Sequence, residues 1–147
     1  MKPRLNPYQV APDTIKALSA LEAQVQGSGL EHSLTELVKT RASQINGCTF
    51  CINMHTQDAR KSGETEQRLY LLNAWRESPV YTDRERAALA WTEAVTLVSE
   101  TRAPDDVYEA EAETVNLTML IATINAWNRI AISFRFVPPV RAKAAVA

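Results

Sequence analysis

The sequence predicts an all-α protein, and three observations carry that expectation. All four glycines, Gly27, Gly29, Gly47 and Gly63, fall between segments whose apolar residues recur at helical spacing. Five of the seven prolines lie before Asp13 or after Val137, which leaves the interior almost free of helix breakers. The single run that alternates as a strand would, Ile132 to Val137, has no second run to pair with, and one strand cannot make a sheet. It reads as a helix end or an extended tail.

The elements follow in order. Asp13 is the expected N-cap of a first helix, on which Ile15, Leu18, Leu21 and Val25 recur until Gly27 stops the series. A second helix carries Leu34, Leu37, Val38, Arg41, Ala42 and Ile45 on one face and runs to Asn46-Gly47, where glycine can take the left-handed conformation that ends a helix and reverses the chain. A third, from Cys48 to Ser62, places Cys48, Cys51, Ile52, His55 and Ala59 on one stripe and ends at Gly63. Glu66 to Arg76 gives a fourth, closed by Ser78-Pro79, since the residue before proline disfavours helical backbone. Thr82-Asp83-Arg84-Glu85 is a capping box that opens a fifth, continued by Ala87, Ala88, Trp91, Ala94, Val95 and Val98. Pro104-Asp105-Asp106 looks like the first turn of a short sixth helix, and Val115 to about Ser133 forms a long, mostly apolar seventh that should be largely buried. There is no internal repeat, no Gly-rich phosphate loop, and no low-complexity segment beyond the alanine-rich last residues.

With 147 residues, 46% hydrophobic and 22% charged, the expected organisation is one domain spanning residues 1–147. Sixteen Lys+Arg against seventeen Asp+Glu leave a net charge of -1, so no global positive field exists to collect nucleic acid or anionic lipid. The longest apolar candidate, Leu117 to Ile124, is too short to cross a membrane and is broken by Thr118 and Thr123. No apolar stretch follows the basic start Met1-Lys2-Pro3-Arg4, so the expected location is cytoplasmic. In that reducing compartment two cysteines do not make a disulfide scaffold, and their spacing is the informative feature.

Cys48-Thr49-Phe50-Cys51 is a C-x-x-C pair at the start of a helix, where free N–H groups and the helix dipole stabilise a thiolate. Cysteines three apart at a loosely wound helix start can also close a disulfide, which suggests a reversible dithiol/disulfide couple. His55 stands one turn beyond Cys51 and is placed to act as its base. If the second and third helices form a hairpin about Asn46-Gly47, Glu36 and His55 lie at similar heights, at about 1.5 Å of rise per residue. A carboxylate there would hold the imidazole tautomer and complete a Glu, His, Cys relay. The helical wheel, however, puts Glu36 opposite the apolar stripe, so solvent exposure is its default unless both faces of the helix are covered, for instance by another subunit.

Other chemistries compete for the same residues. The cysteines can be small buried hydrophobes, and Cys48, Cys51 and His55 can supply three zinc ligands with His32 or Glu36 as a fourth, although structural zinc usually draws two pairs from separate segments. Ile52 after Cys51 excludes the haem-attachment signature, and the lack of a βαβ pattern argues against a thioredoxin domain. Trp75, Trp91 and Trp127 sit among aliphatic neighbours and read as packing residues, while His32 is assigned no role.

Glu36 together with Ser43-Gln44-Ile45-Asn46-Gly47-Cys48-Thr49-Phe50-Cys51-Ile52-Asn53-Met54-His55-Thr56 resembles the AhpD-like alkylhydroperoxidase branch of the carboxymuconolactone decarboxylase family, with the spacing E-x11-C-x-x-C-x3-H. The likeness continues through Asp58-Ala59-Arg60 and Leu71 to Arg76 to the run Glu85 to Thr92, so the core motif region is 34–100. The resemblance implies an all-helical bundle that assembles into trimers or hexamers, and a thiol-dependent peroxidase or disulfide-reductase activity needing no cofactor or metal. It implies catalytic roles for Glu36, Cys48, Cys51 and His55, with Cys51 attacking a hydroperoxide and Cys48 resolving the sulfenic acid. The helix-dipole argument instead favours Cys48 as the more readily ionised thiol. One departure is Phe50, which occupies the position of a family histidine. The expected partners are a hydroperoxide substrate, a thiol reductant or redox partner protein, and further copies of the chain. The alternative is a redox-sensing or disulfide-exchange oligomer without peroxide turnover.

Overall fold

The computed structural model describes residues 2–108 and 112–139; the alanine-rich end of the sequence lies outside the described residues. Helices account for every regular element among them, as the sequence predicts. A four-residue helix α1 (Pro7–Val10), too short to show periodicity, precedes the first expected one and is capped by Asn6, whose side chain accepts the Tyr8 N–H at 3.0 Å. Helix α2 (Pro12–Gln26) starts two residues earlier than expected: Pro12 sits in its first turn, where its fixed φ is already helical, so Ala11 occupies the cap position and Asp13 lies inside the first turn. Of the four residues expected to face the core, Ile15 and Val25 are buried, whereas Leu21 is exposed.

Helix α3 (His32–Asn46) ends as the sequence predicts. Gly47 is left-handed at φ 68, its N–H reaches Gln44 O at 3.2 Å, and the Cys48 N–H reaches Ser43 O at 3.0 Å, the paired bonds of a Schellman turn. Cys48 is thereby delivered in extended conformation to the N-cap of α4 (Thr49–Lys61). Helix α5 (Glu66–Leu71), capped by Thr65, is shorter than expected and tightens into a 3-10 turn over Leu72–Ala74. Arg86 takes up the carbonyls that follow, donating to Trp75 O, Ser78 O and Arg76 O at 2.7–3.1 Å, so the chain leaves the helix without stranded acceptors.

Helix α6 (Asp83–Thr96) opens on the expected capping box. Glu85 N–H donates to Thr82 Oγ1 at 3.3 Å, and Thr82 N–H donates to Glu85 Oε2 at 2.8 Å. A separate short helix α7 (Val98–Thr101) ends in left-handed backbone at Arg102, and the expected sixth helix is a single 3-10 turn, Asp105–Val107. The long apolar helix α8 (Ala112–Phe134) closes the bundle. Arg4 ties the N-terminal segment to its end, donating from the backbone to Phe134 O and from Nη1 to Ser133 O.

Helix α3 is the axis of this arrangement and packs against α4, α6 and α8. Leu34 and Val38 point into a core shared with α6 and α8, Leu37 into one shared with α4, α5 and α6, and Ala42 into a third with Ile124, Ala131 and both cysteines. Each fully buried leucine of this kind stabilises the fold by about 1.5–3 kcal/mol. Thr35, Glu36, Lys39, Thr40 and Ser43 are buried on the remaining faces. The polar side of α3 is therefore covered within one chain, which removes the expectation that Glu36 is solvent-exposed or needs another subunit to cover it.

Candidate functional site

Cys48 caps α4 with its sulfur, which accepts the Cys51 N–H at 3.4 Å. One helical turn brings Cys51 back toward it, and the two free thiols stand with their sulfurs 2.7 Å apart in hydrogen-bond contact. Both are almost fully buried. That contact is the largest influence on each: it lowers Cys48 to about 7, against the opposing effect of burial and with help from the Cys51 N–H and the Asn128 side chain. The same contact, followed by burial and by repulsion from a Cys48 thiolate, pushes Cys51 up. The negative charge of the pair thus resides on Cys48.

One turn after Cys51, His55 is 4% exposed and bonds through Nδ1 to Glu36 Oε2 at 2.9 Å. A carboxylate only accepts, so Nδ1 donates in this bond, and Nε2 has no hydrogen-bond partner in the structure. The other Glu36 oxygen, Oε1, lies 3.9 Å from Lys39 Nζ, which is also 3.2 Å from Glu22 Oε1 on α2. All four residues expected from the sequence, Glu36, Cys48, Cys51 and His55, are brought together.

Two cavities reach the cysteines, one lined by Cys51 and the other by Cys48. The first, of about 660 Å³, is bordered by α2, α3, α4 and α8 and is lined by Cys51, His55, Glu36 and Lys39 beside an apolar wall of Phe50, Met54, Ile124, Trp127 and Phe136. The second, of about 620 Å³, is lined by Cys48, Gly47 and Thr49 with Arg4 and Arg135. Phe50 and Phe136, packed edge to face at 5.4 Å, border both. Phe50 is thus part of the wall of both cavities.

Several contributors are invisible to motif reading. Asn128 of α8 is fully buried; it donates to Ser43 Oγ at 3.0 Å, accepts from Asn46 at 2.9 Å, and hydrogen-bonds toward the sulfurs. The available signal is two asparagines, Asn125 and Asn128, three apart in the mostly apolar second half of α8. Lys39 and Glu22 carry no such signal. His32, assigned nothing from the sequence, lines the first cavity, as does Trp127, whereas Trp75 and Trp91 donate to Glu93 and Thr118 within the packed bundle. No group of three or more His, Cys, Asp or Glu among the described residues has a metal-holding arrangement, and none of their helices is long and apolar enough to cross a membrane.

The sequence profile of the carboxymuconolactone decarboxylase family matches residues 12–94. The uncharacterized protein YdfG of Bacillus subtilis is 44% identical over 139 residues, covering 90% of this chain and 95% of its own. A crystal structure from Agrobacterium tumefaciens, of a protein of unknown function and candidate antioxidant defence protein AhpD, superposes with a TM-score of 0.91 at 49% identity, covering 95% of this chain and all of its own. A peroxidase-related protein from Silicibacter, itself uncharacterized, shares the fold with a TM-score of 0.74 at 20% identity, over 90% of this chain and 73% of its own.

Proposed function

Since the chain belongs to the carboxymuconolactone decarboxylase family, in its AhpD-like branch, we propose that it is an antioxidant enzyme that reduces organic hydroperoxides through the Cys48/Cys51 couple. The observation that carries this reading is the division of labour between the two thiols. Cys51, whose proton is held more tightly, shares its cavity with His55 and the free Nε2; Cys48, the thiol that ionises readily, lies 2.7 Å behind it.

The chemistry follows from those positions. His55 Nε2 takes the Cys51 proton as the sulfur attacks the terminal peroxide oxygen, so the O–O bond breaks and Cys51 becomes a sulfenic acid. The alkoxide leaves with the proton that His55 carried, as an alcohol. The Cys48 sulfur, ionised by release of its proton to water, then attacks the Cys51 sulfur, an S–S bond forms, and the departing hydroxide recovers that proton as water. Two thiols and a hydroperoxide become a disulfide, an alcohol and water. A thiol reductant or redox partner protein returns the disulfide to the dithiol. Glu36 fixes the His55 tautomer and stabilises the imidazolium that forms in the first step. The apolar wall of the first cavity suits the organic group of the peroxide.

Turnover of cumene hydroperoxide with dithiothreitol as reductant tests this reading. Wild type is expected to consume peroxide, and Cys48→Ser and Cys51→Ser each to lose turnover; full activity in both variants would refute the mechanism. Oxidation of the pair without any turnover would point to a redox sensor or disulfide-exchange protein.

A further inference from the structure

Among the described residues Lys39 is the only lysine or arginine that is buried, at 2% exposure. An ammonium is held away from water only when it is paired. Its partners are Glu22 Oε1 at 3.2 Å and Glu36 Oε1 at 3.9 Å, while the second Glu36 oxygen receives His55. Glu22, Lys39, Glu36 and His55 therefore form one line across α2, α3 and α4, of which the proposed mechanism uses only the last two.

The other ionisable groups facing this cavity are Tyr8 from α1, His32 from α3, and Cys51, Asp58 and Lys61 from α4; the α8 wall contributes no charged side chain. Asp58 and Lys61 pair with each other at 2.7 Å. That leaves Lys39 as the cation in contact with the Glu36 carboxylate.

The charge on Lys39 has a definite consequence for a base. A buried carboxylate beside an imidazole, with no cation near, takes up a proton readily because burial penalises its lone negative charge. Wherever that proton settles, the base is disabled: an imidazolium has no acceptor at Nε2, and a neutral carboxyl no longer enforces the tautomer that leaves Nε2 open. An ammonium 3.9 Å away opposes that uptake. Glu22, with its side chain 25% exposed, moderates the ammonium from the other side.

We propose that Lys39, anchored by Glu22, is a positioning residue for the Glu36–His55 pair: it fixes the carboxylate, balances its charge, and so keeps His55 Nε2 open to accept the Cys51 proton. The inference rests on His55 being the base for Cys51.

Its test compares variants whose charges act in opposite senses. In a Cys48→Ser background, the pH dependence of Cys51 alkylation by iodoacetamide is recorded for Lys39→Met, Lys39→Arg and Glu22→Gln, and the titration of the His55 ring is followed by NMR, with His32→Asn identifying the signal. Lys39→Met is expected to move the acid limb of alkylation to higher pH by about one unit, roughly tenfold in rate at a fixed pH below the limb. Glu22→Gln is expected to move it to lower pH, and Lys39→Arg to restore it. A purely structural role would not give shifts of opposite sign. Unmoved limbs together with an unmoved ring titration, or shifts of the same sign in Lys39→Met and Glu22→Gln, would overturn the role of Lys39. A ring titration that moves in opposite directions in the two variants while Cys51 reactivity stays put would support the charge balance and refute His55 as the base.

Discussion

Within C-x-x-C the two thiols are chemically unequal because one is a helix cap and the other lies inside the helix. Cys48 receives a backbone N–H and the neighbouring thiol, so its thiolate is stabilised, while Cys51 bears the burial penalty and the repulsion of that thiolate. For an acid lowered to about 7, the ionised form is lost as pH falls through that value. The thiolate absorbance of the reduced protein is therefore expected to rise with a first midpoint near 7. In Cys51→Ala, which removes the largest stabilising contact, that midpoint should move up; an unchanged midpoint would mean that the contact does not set the ionisation. Replacement of His55 by Asn removes the proton acceptor of the first step, and turnover should fall on the order of 10²-fold or more, with the optimum displaced to higher pH. The cysteines and histidine were legible in the sequence because spacing alone puts them on one stripe of one helix. The burial of Glu36 was not, because a helical wheel describes a helix with one solvated face, and α3 has none. Lys39 and Asn128 make contacts to side chains on other helices, Glu22 for the one and Ser43 and Asn46 for the other, which no single-helix periodicity encodes.

At the scale of elements, the junction of α3 and α4 positions the chemistry. The left-handed Gly47 ends one helix and sets the sulfur of the next residue over the first turn of the other. A Cβ at Gly47 would meet nothing within 4 Å, so the cost of Gly47→Ala is conformational alone, about 1–2 kcal/mol of stability in a urea titration. The capping box at Thr82 lies outside both cysteine cavities. Thr82→Ala should cost about 1 kcal/mol and lower the melting temperature by about 2–4 °C, while the rate of thiol oxidation stays unchanged. Helices with two independent end signals, such as α3 with its periodicity and glycine or α6 with its box, were legible to within a residue or two. Where the sequence offered one signal, the boundary moved. Asp13 reads as a cap, yet Pro12 already begins the helix, and the expected helix to Arg76 tightens after Leu71 because Arg86, distant in sequence, accepts the task of capping its carbonyls.

For the whole molecule, stability rests on the cores shared between helices. Leu37 and Leu89 are fully buried in the core between α3, α5 and α6, and Leu37→Ala should cost about 2–5 kcal/mol of unfolding free energy. The N-terminal segment lies against the end of α8 through Arg4 and the stacking of Tyr8 on Phe136, and Leu5, Tyr8, Val10, Ile132 and Val137 are left exposed there. An apolar set of that kind suits contact between copies of the chain, and light scattering is expected to give a trimer or hexamer that Ile132→Glu weakens; a monomeric wild type would contradict it. The most direct test of the proposed chemistry is the mass and free-thiol count before and after one equivalent of an organic hydroperoxide, on wild type, Cys48→Ser and Cys51→Ser. The expected result is rapid loss of both thiols as an intramolecular disulfide in wild type and a trappable sulfenic acid on Cys51 in Cys48→Ser. Thiols that remain inert toward the peroxide in all three proteins would contradict the account.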